Sequence, residues 1–173
     1  PRILSWAAEM FFRLGTGNDS GTGQVAGPAK QYFQRALTTY DKILQLESTA
    51  QDRNLLMHLR MRKSVVYRRN GEFDNAMKLF TEILERSNAM IAVQVEAAVT
   101  LQEWGDAESP SKYSQAIQGI SRSQNARKKT IWGWATIGRK SSDNPKFVDV
   151  YFQSRYELAY CHYLLSLAQQ SNG

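Results

Sequence analysis

The stretch SVVYRRNGEFDNAMKLFTEIL, residues 64–84, holds two runs of helix-forming residues joined by Asn70-Gly71. Glycine accepts the left-handed backbone that ends a helix, and asparagine is its usual substitute. On the N-terminal side, the small residue Ser64 precedes Tyr67 by three positions and Gly71 by seven. On the C-terminal side, Ala76, Phe80, Ile83 and Leu84 recur at helical spacing, so one face of the second run is apolar. Two helices folded back on each other by a short turn follow from this pattern.

Working outward, the second-helix spacing occurs forty residues earlier as Ala36, Tyr40, Ile43 and Leu44. The first-helix pattern recurs as Ala98, Leu101 and Gly105, and as Ala8, Phe11 and Gly15. Each of these glycines is expected to close its helix. Period-two alternation of apolar residues is nearly absent, so the chain reads as all-α. Helices are expected over 2–14, 28–47, 50–70, 73–87, 89–104, 110–120 and 146–170, with a small-residue loop at 15–27. Pro28 and Pro110 open helices in the first turn, where the missing N–H costs nothing. The stretch 121–144 carries no decisive pattern.

This arrangement resembles the tetratricopeptide repeat: a small residue, an aromatic three later, a turn glycine, then alanine and an aromatic four later. The small residues let paired helices approach and the bulky ones fill the gap on the facing helix. The resemblance implies an α-solenoid of antiparallel helix pairs, three to four irregular repeats in one domain over 1–173. The unit 57–88 fits best, with Arg60 and Asn88 standing where the family's early tryptophan and closing proline would be. A plain helical bundle with coincident spacings is the competing reading. The last third, with Ile131-Trp132-Gly133-Trp134 and Arg155-Tyr156-Glu157-Leu158-Ala159, is similar to segments of large bacterial repeat proteins. With Pro1 at its start, the chain is expected to be part of something longer.

Composition narrows the functional classes. Apolar residues make up 42% and charged residues 22%, as in a globular protein. No run approaches the roughly 18 uninterrupted apolar residues of a membrane span. The single Cys161 leaves no internal disulfide or cysteine-rich zinc site, and His58 and His162 are far apart in the chain. Gly15-Thr16-Gly17 and Gly21-Thr22-Gly23 lack the lysine and preceding strand of a phosphate-cradling loop. Glu82 and Arg86, one turn apart, form an ordinary helix pair. No catalytic residue, cofactor or metal is expected, and the chain reads as a scaffold for a protein or peptide partner.

Three candidate surfaces follow. The resemblance implies a groove lined by first helices, here His58, Met61, Val65, Arg68 and Arg69, then Ala92, Val95, Val99 and Gln102. Met61 and Val65 stand where some family members carry a carboxylate clamp, so binding of a chain terminus is not implied. Second, Ser109 to Ser142 contains no acidic residue but carries Lys112, Arg122, Arg127, Lys128, Lys129, Arg139 and Lys140, while the rest of the chain nets −1. With Trp132 and Trp134 interleaved, this window suits an acidic protein partner or, alternatively, a nucleic acid; the tryptophans equally suit core anchors. Third, Tyr151, Phe152, Tyr156, Tyr160 and Tyr163 form a stripe on the last helix, with Ala159 as a close-packing notch and Cys161 and His162 as packing residues. That stripe is either a cap on the preceding unit or a face for another chain, self-association included.

Overall fold

A computed structural model describes residues 2–19, 25–46, 53–121 and 129–170. Among these residues the fold is all-α, with a single two-stranded hairpin. The helices are α1 (Arg2–Asn18), α2 (Gly27–Leu46), α3 (Arg53–Arg69), α4 (Phe73–Arg86), α5 (Ile91–Ala107), α6 (Ser111–Gln118), α7 (Trp134–Ser141) and α8 (Val148–Gln170). Strands β1 (Gly119–Ser121) and β2 (Lys129–Trp132) lie between α6 and α7, and a 3₁₀ turn, Pro145–Phe147, leads into α8. No described helix is long and apolar enough to cross a membrane. The chain forms two compact units, Pro1–Ile83 and Leu84–Gly173.

In the first unit α1 packs on α2 and α2 on α3. Ala8, Phe33, Ala36, Leu37, Tyr40, Ile43, Leu59 and Val66 form the core, flanked by Leu4, Phe11, Phe12, Leu44 and Tyr67. The turn after α3 carries two diagnostic hydrogen bonds: Glu72 N–H donates to Tyr67 O (2.9 Å) and Gly71 N–H to Arg68 O (2.9 Å). This double bond pattern ends a helix with its carbonyls satisfied, and it needs the left-handed residue that Gly71 supplies at φ +78°. The Glu72 carboxylate then accepts from the side-chain amides of Asn70 and Asn75. Polar pairs tie the three helices at their rim, with Arg62 on Glu9 and Lys63 on Asp41.

Gly15 does not behave like Gly71. Helix α1 runs on past it to Asn18, held by Thr16 Oγ1 donating to Phe12 O and Asn18 Nδ2 to Leu14 O. A Cβ on Gly15 would lie 2.6 Å from the Phe33 ring, so this glycine is a notch that admits an aromatic from α2. The expected loop at 15–27 is therefore partly helix; residues 20–24 of it lie outside the described residues.

In the second unit α5 packs on α6, α7 and β2, and α8 lies against α6 and α7. Gly105 was expected to close its helix, but α5 continues to Ala107. A Cβ there would meet the Tyr113 ring of α6 at 2.6 Å. It is again a notch. The hairpin pairs Gly119 with Trp132 and Ile120 with Ile131, with an irregularity between Ile120 and Ser121. Gly119, at φ +80°, and Gly133 bring two backbone segments together so closely that a Cβ on either would sit 2.3 Å from a carbonyl oxygen. The 121–144 stretch thus resolves, where described, into β2, α7 and a turn capped by Asn144, whose Oδ1 accepts from Lys146 N–H at 3.0 Å.

Candidate partner-binding surfaces

The groove positions fare unequally. On α3, His58 is exposed, Met61, Arg68 and Arg69 are half-buried, and Val65 is buried. Arg69 pairs with Asp19 at 3.6 Å. On α5, Ala92 is exposed, and Val95 and Val99 are half-buried. Gln102 is committed internally. Its amide nitrogen donates to Glu157 Oε2 (2.8 Å), and its oxygen accepts from Trp134 Nε1 (3.1 Å) and from Cys161 Sγ (3.2 Å). One side chain of α5 thereby fastens both α7 and α8. Burial pushes the Cys161 thiol up to about 12, with the nearby Glu157 and Asp106 charges adding to the effect. Cys161 is a packing residue, as its place on the helix suggested, whereas His162 beside it is exposed and does not pack.

The basic window is partly described. Arg122, Arg127 and Lys128 lie outside the described residues, and Lys129 begins β2. Arg139 and Lys140 are exposed in the last turn of α7. Trp134 is fully buried, an anchor. Trp132 is half-buried, with its Nε1 donating to Asn88 Oδ1 at 3.1 Å and Lys140 Nζ 5.9 Å from its ring. Lys112 Nζ stands 3.4 Å from the Trp104 ring. Beside Trp132, the fully buried Gln94 donates to Thr130 O (3.0 Å) and Asn88 O (2.9 Å) and accepts from Trp132 N–H (2.7 Å). Nothing in the charge or periodicity of the sequence marks Gln94, because a lone glutamine within an apolar helix run has no pattern of its own.

The third surface is the most open. Phe152 is 64% exposed, Tyr156 67%, Tyr160 38% and Tyr163 58%, with Leu167 beside them. Tyr156 and Tyr160 stack at 6.1 Å and 12°, and Tyr160 and Tyr163 at 6.5 Å and 26°. Ala159 is exposed in the same row. The opposite side of α8 is packed, with Ser154 and Cys161 fully buried.

A smaller feature lies where α7 crosses α8. A cleft of about 130 Å³ is lined by Trp134, Gly138, Arg139, Tyr151, Arg155 and Leu158, among others. Gly138 lets the two helices cross closely here: a Cβ there would lie 2.8 Å from Ser154 Oγ and 3.9 Å from Arg155 Cδ. Of its polar residues Arg139 stood out in the basic window and Tyr151 in the aromatic stripe, although Tyr151 turns out half-buried in this cleft and not on the open row; Arg155, one turn after Tyr151 on α8, carried no signal of its own as a ligand group.

No protein-family model matches the sequence, and no curated protein does.

Proposed function

We propose that the chain is a non-catalytic helical-repeat scaffold of tetratricopeptide type, which holds an amphipathic helix of a partner protein against the outer row of α8. The carrying observation is a contrast among small residues. Ala8, Ser64 and Ala98, each the notch of a first helix, are fully buried. Ala159, the corresponding notch of α8, is exposed among Phe152, Tyr156, Tyr160 and Tyr163.

The repeat reading has further support at second helices. Phe33, Phe73 and Tyr113 stand forty residues apart, as do Ala36, Ala76 and Ala116, and Leu37, Met77 and Ile117; all nine are buried. The glycines seven residues after Ala8 and Ala98 each receive the aromatic of this set, Phe33 over Gly15 and Tyr113 over Gly105. A helix suited to α8 would bring the same signature, an aromatic followed three residues later by alanine. Large exposed apolar rows of this kind mark interaction surfaces, and helix-in-groove recognition reads them through anchors one turn apart.

A displayed library of amphipathic helical peptides carrying Phe or Tyr at i and Ala at i+3 tests the reading. Enriched peptides should lose at least tenfold in affinity when Tyr156 and Tyr160 are both changed to Ser, with helicity unchanged by circular dichroism. Absence of enrichment, or enrichment indifferent to those changes, defeats it.

Polyanion binding through 112–140 is the second reading. The charge run favours it, but lysines already occupy ring faces of Trp104 and Trp132 that base stacking would need. A random single-stranded oligonucleotide whose affinity falls steeply with salt would support it.

A further inference from the structure

We infer that the cleft between α7 and α8 is a binding site for a compact oxyanion, a carboxylate or phosphate monoester carried on a partner peptide. The inference rests on the scaffold reading above but concerns a different surface, and its test is separate from that of the aromatic row.

Size comes first. About 130 Å³ is the room of roughly four waters at their liquid volume. A carboxylate or phosphate head fits. Charge comes second. Arg139 from α7 and Arg155 from α8 both line the cleft, and neither guanidinium has a hydrogen-bond or ion-pair partner among the described residues. No carboxylate lines it. Two acids next to it in sequence have other partners: Asp143 accepts from Ser142 Oγ at 3.0 Å and Glu157 Oε2 from Gln102 Nε2 at 2.8 Å.

Chemistry comes third. Arginine presents a planar fork of donors that matches the two oxygens of a carboxylate or phosphate, and two arginines on separate helices can grip one oxyanion from two sides. Tyr151 adds a phenolic hydroxyl with no partner among the described residues. The carbonyl end of α7 would ordinarily repel an anion. Here several of its carbonyls are taken: Ser141 Oγ donates to Ile137 O and Gly138 O, Ser142 N–H to Gly138 O, and Ser142 Oγ to Arg139 O. The floor is apolar, formed by the buried Trp134 and by Leu158, and a low-polarity floor strengthens the ionic contacts above it.

The site is held by the fold. The Arg155 stem passes over Gly138, close enough that a Cβ there would lie 3.9 Å from its Cδ. The crossing of α7 and α8 thus sets where the Arg155 stem runs along the cleft. A side chain at 138 would press on Ser154 Oγ and reach van der Waals contact with the Arg155 stem.

Nuclear magnetic resonance titrations of the full chain with three otherwise identical short peptides test this, one bearing Glu, one phosphoserine and one Gln at the central position. Saturable shifts confined to Gly138, Arg139, Tyr151 and Arg155 are expected for the Glu or the phosphoserine peptide, and which of the two binds tighter identifies the source of the oxyanion. Arg155→Gln should weaken that binding at least tenfold, and Arg155→Lys, which keeps the charge but loses the fork, should fall between. The tyrosine changes on the aromatic row should leave it untouched. Equal shifts from the Gln peptide, shifts spread over every surface lysine and arginine, or binding indifferent to Arg155→Gln would each overturn the inference. So would displacement of the peptides by an oligonucleotide that binds the chain more tightly than either, since that assigns the cations to nucleic acid.

Discussion

Helices α5 and α8 belong to the same unit and are similarly rich in apolar side chains, yet they end in opposite situations. Among the described residues, α5 buries Val93, Gln94, Ala97, Ala98, Thr100, Leu101 and Gly105, whereas the longer α8 buries Ser154 and Cys161. The difference lies in their neighbours. Helix α5 meets α6, α7 and β2, while α8 is covered by α6 and α7 on one side. Apolar content alone therefore does not say whether a helix is core or interface; the number of sides on which it is covered does.

That comparison can be broken most severely at Leu101. Fully buried on α5, it should cost about 3 kcal/mol when cut to Ala, through lost transfer energy and the cavity left behind. Urea denaturation reads this directly, and a loss below about 1 kcal/mol would mean that α5 is less enclosed than its burial indicates. Next comes Gly105→Ala. Its added carbon would press on the Tyr113 ring, and overpacking of this kind costs about 1–3 kcal/mol. The same change at exposed Gly71 is governed by its φ of +78° rather than by crowding, since nothing lies within reach of a Cβ there.

Cys161 sharpens the contrast through pH. Its thiol has an ordinary value of 9.0 and is raised to about 12 in the fold. Below pH 9 both folded and unfolded chains hold the proton, and the group has no effect. From 9 to 12 only the unfolded chain releases it, so stability falls as pH rises, by about 1.4 kcal/mol per unit well inside that window. Chemical denaturation at pH 8 and pH 10.5, compared between the native chain and Cys161→Ala, isolates this contribution; equal pH slopes would contradict it. The smallest effect is expected on the open side of the same helix. Tyr156→Ser should change stability by less than about 0.5 kcal/mol, because the ring is already in water. A larger loss would show the row to be packed.

Much of this architecture is legible before folding. Ala8, Ser64 and Ala98, picked out by their spacing to later aromatics and glycines, are all fully buried. Of the aromatic stripe, Phe152, Tyr156, Tyr160 and Tyr163 are exposed on α8 as the pattern places them, whereas Tyr151 is half-buried against α7. The glycines are less transparent. Gly71 follows Asn70 and ends a helix, whereas Gly105 is followed by Asp106-Ala107, which continue one, and Gly15 by Thr16, whose hydroxyl back-bonds and prolongs it. A glycine chosen for what crosses over it carries the same letter as one chosen for its φ. The hairpin escaped for a different reason: strands of three and four residues are too short to display alternation. The cleft escaped because Arg139 and Arg155 come to line one space only through the tertiary crossing of α7 and α8.

The Gln94 amide has one more consequence. By accepting from Trp132 N–H while donating to Thr130 O, it offers β2 the pair of bonds that a neighbouring strand would offer. A single side chain thus stands in for a third strand. Unpaired strand edges recruit strands from other molecules, and here that invitation is answered from within, so the chain can carry a β-hairpin amid helices without exposing this edge to its own copies.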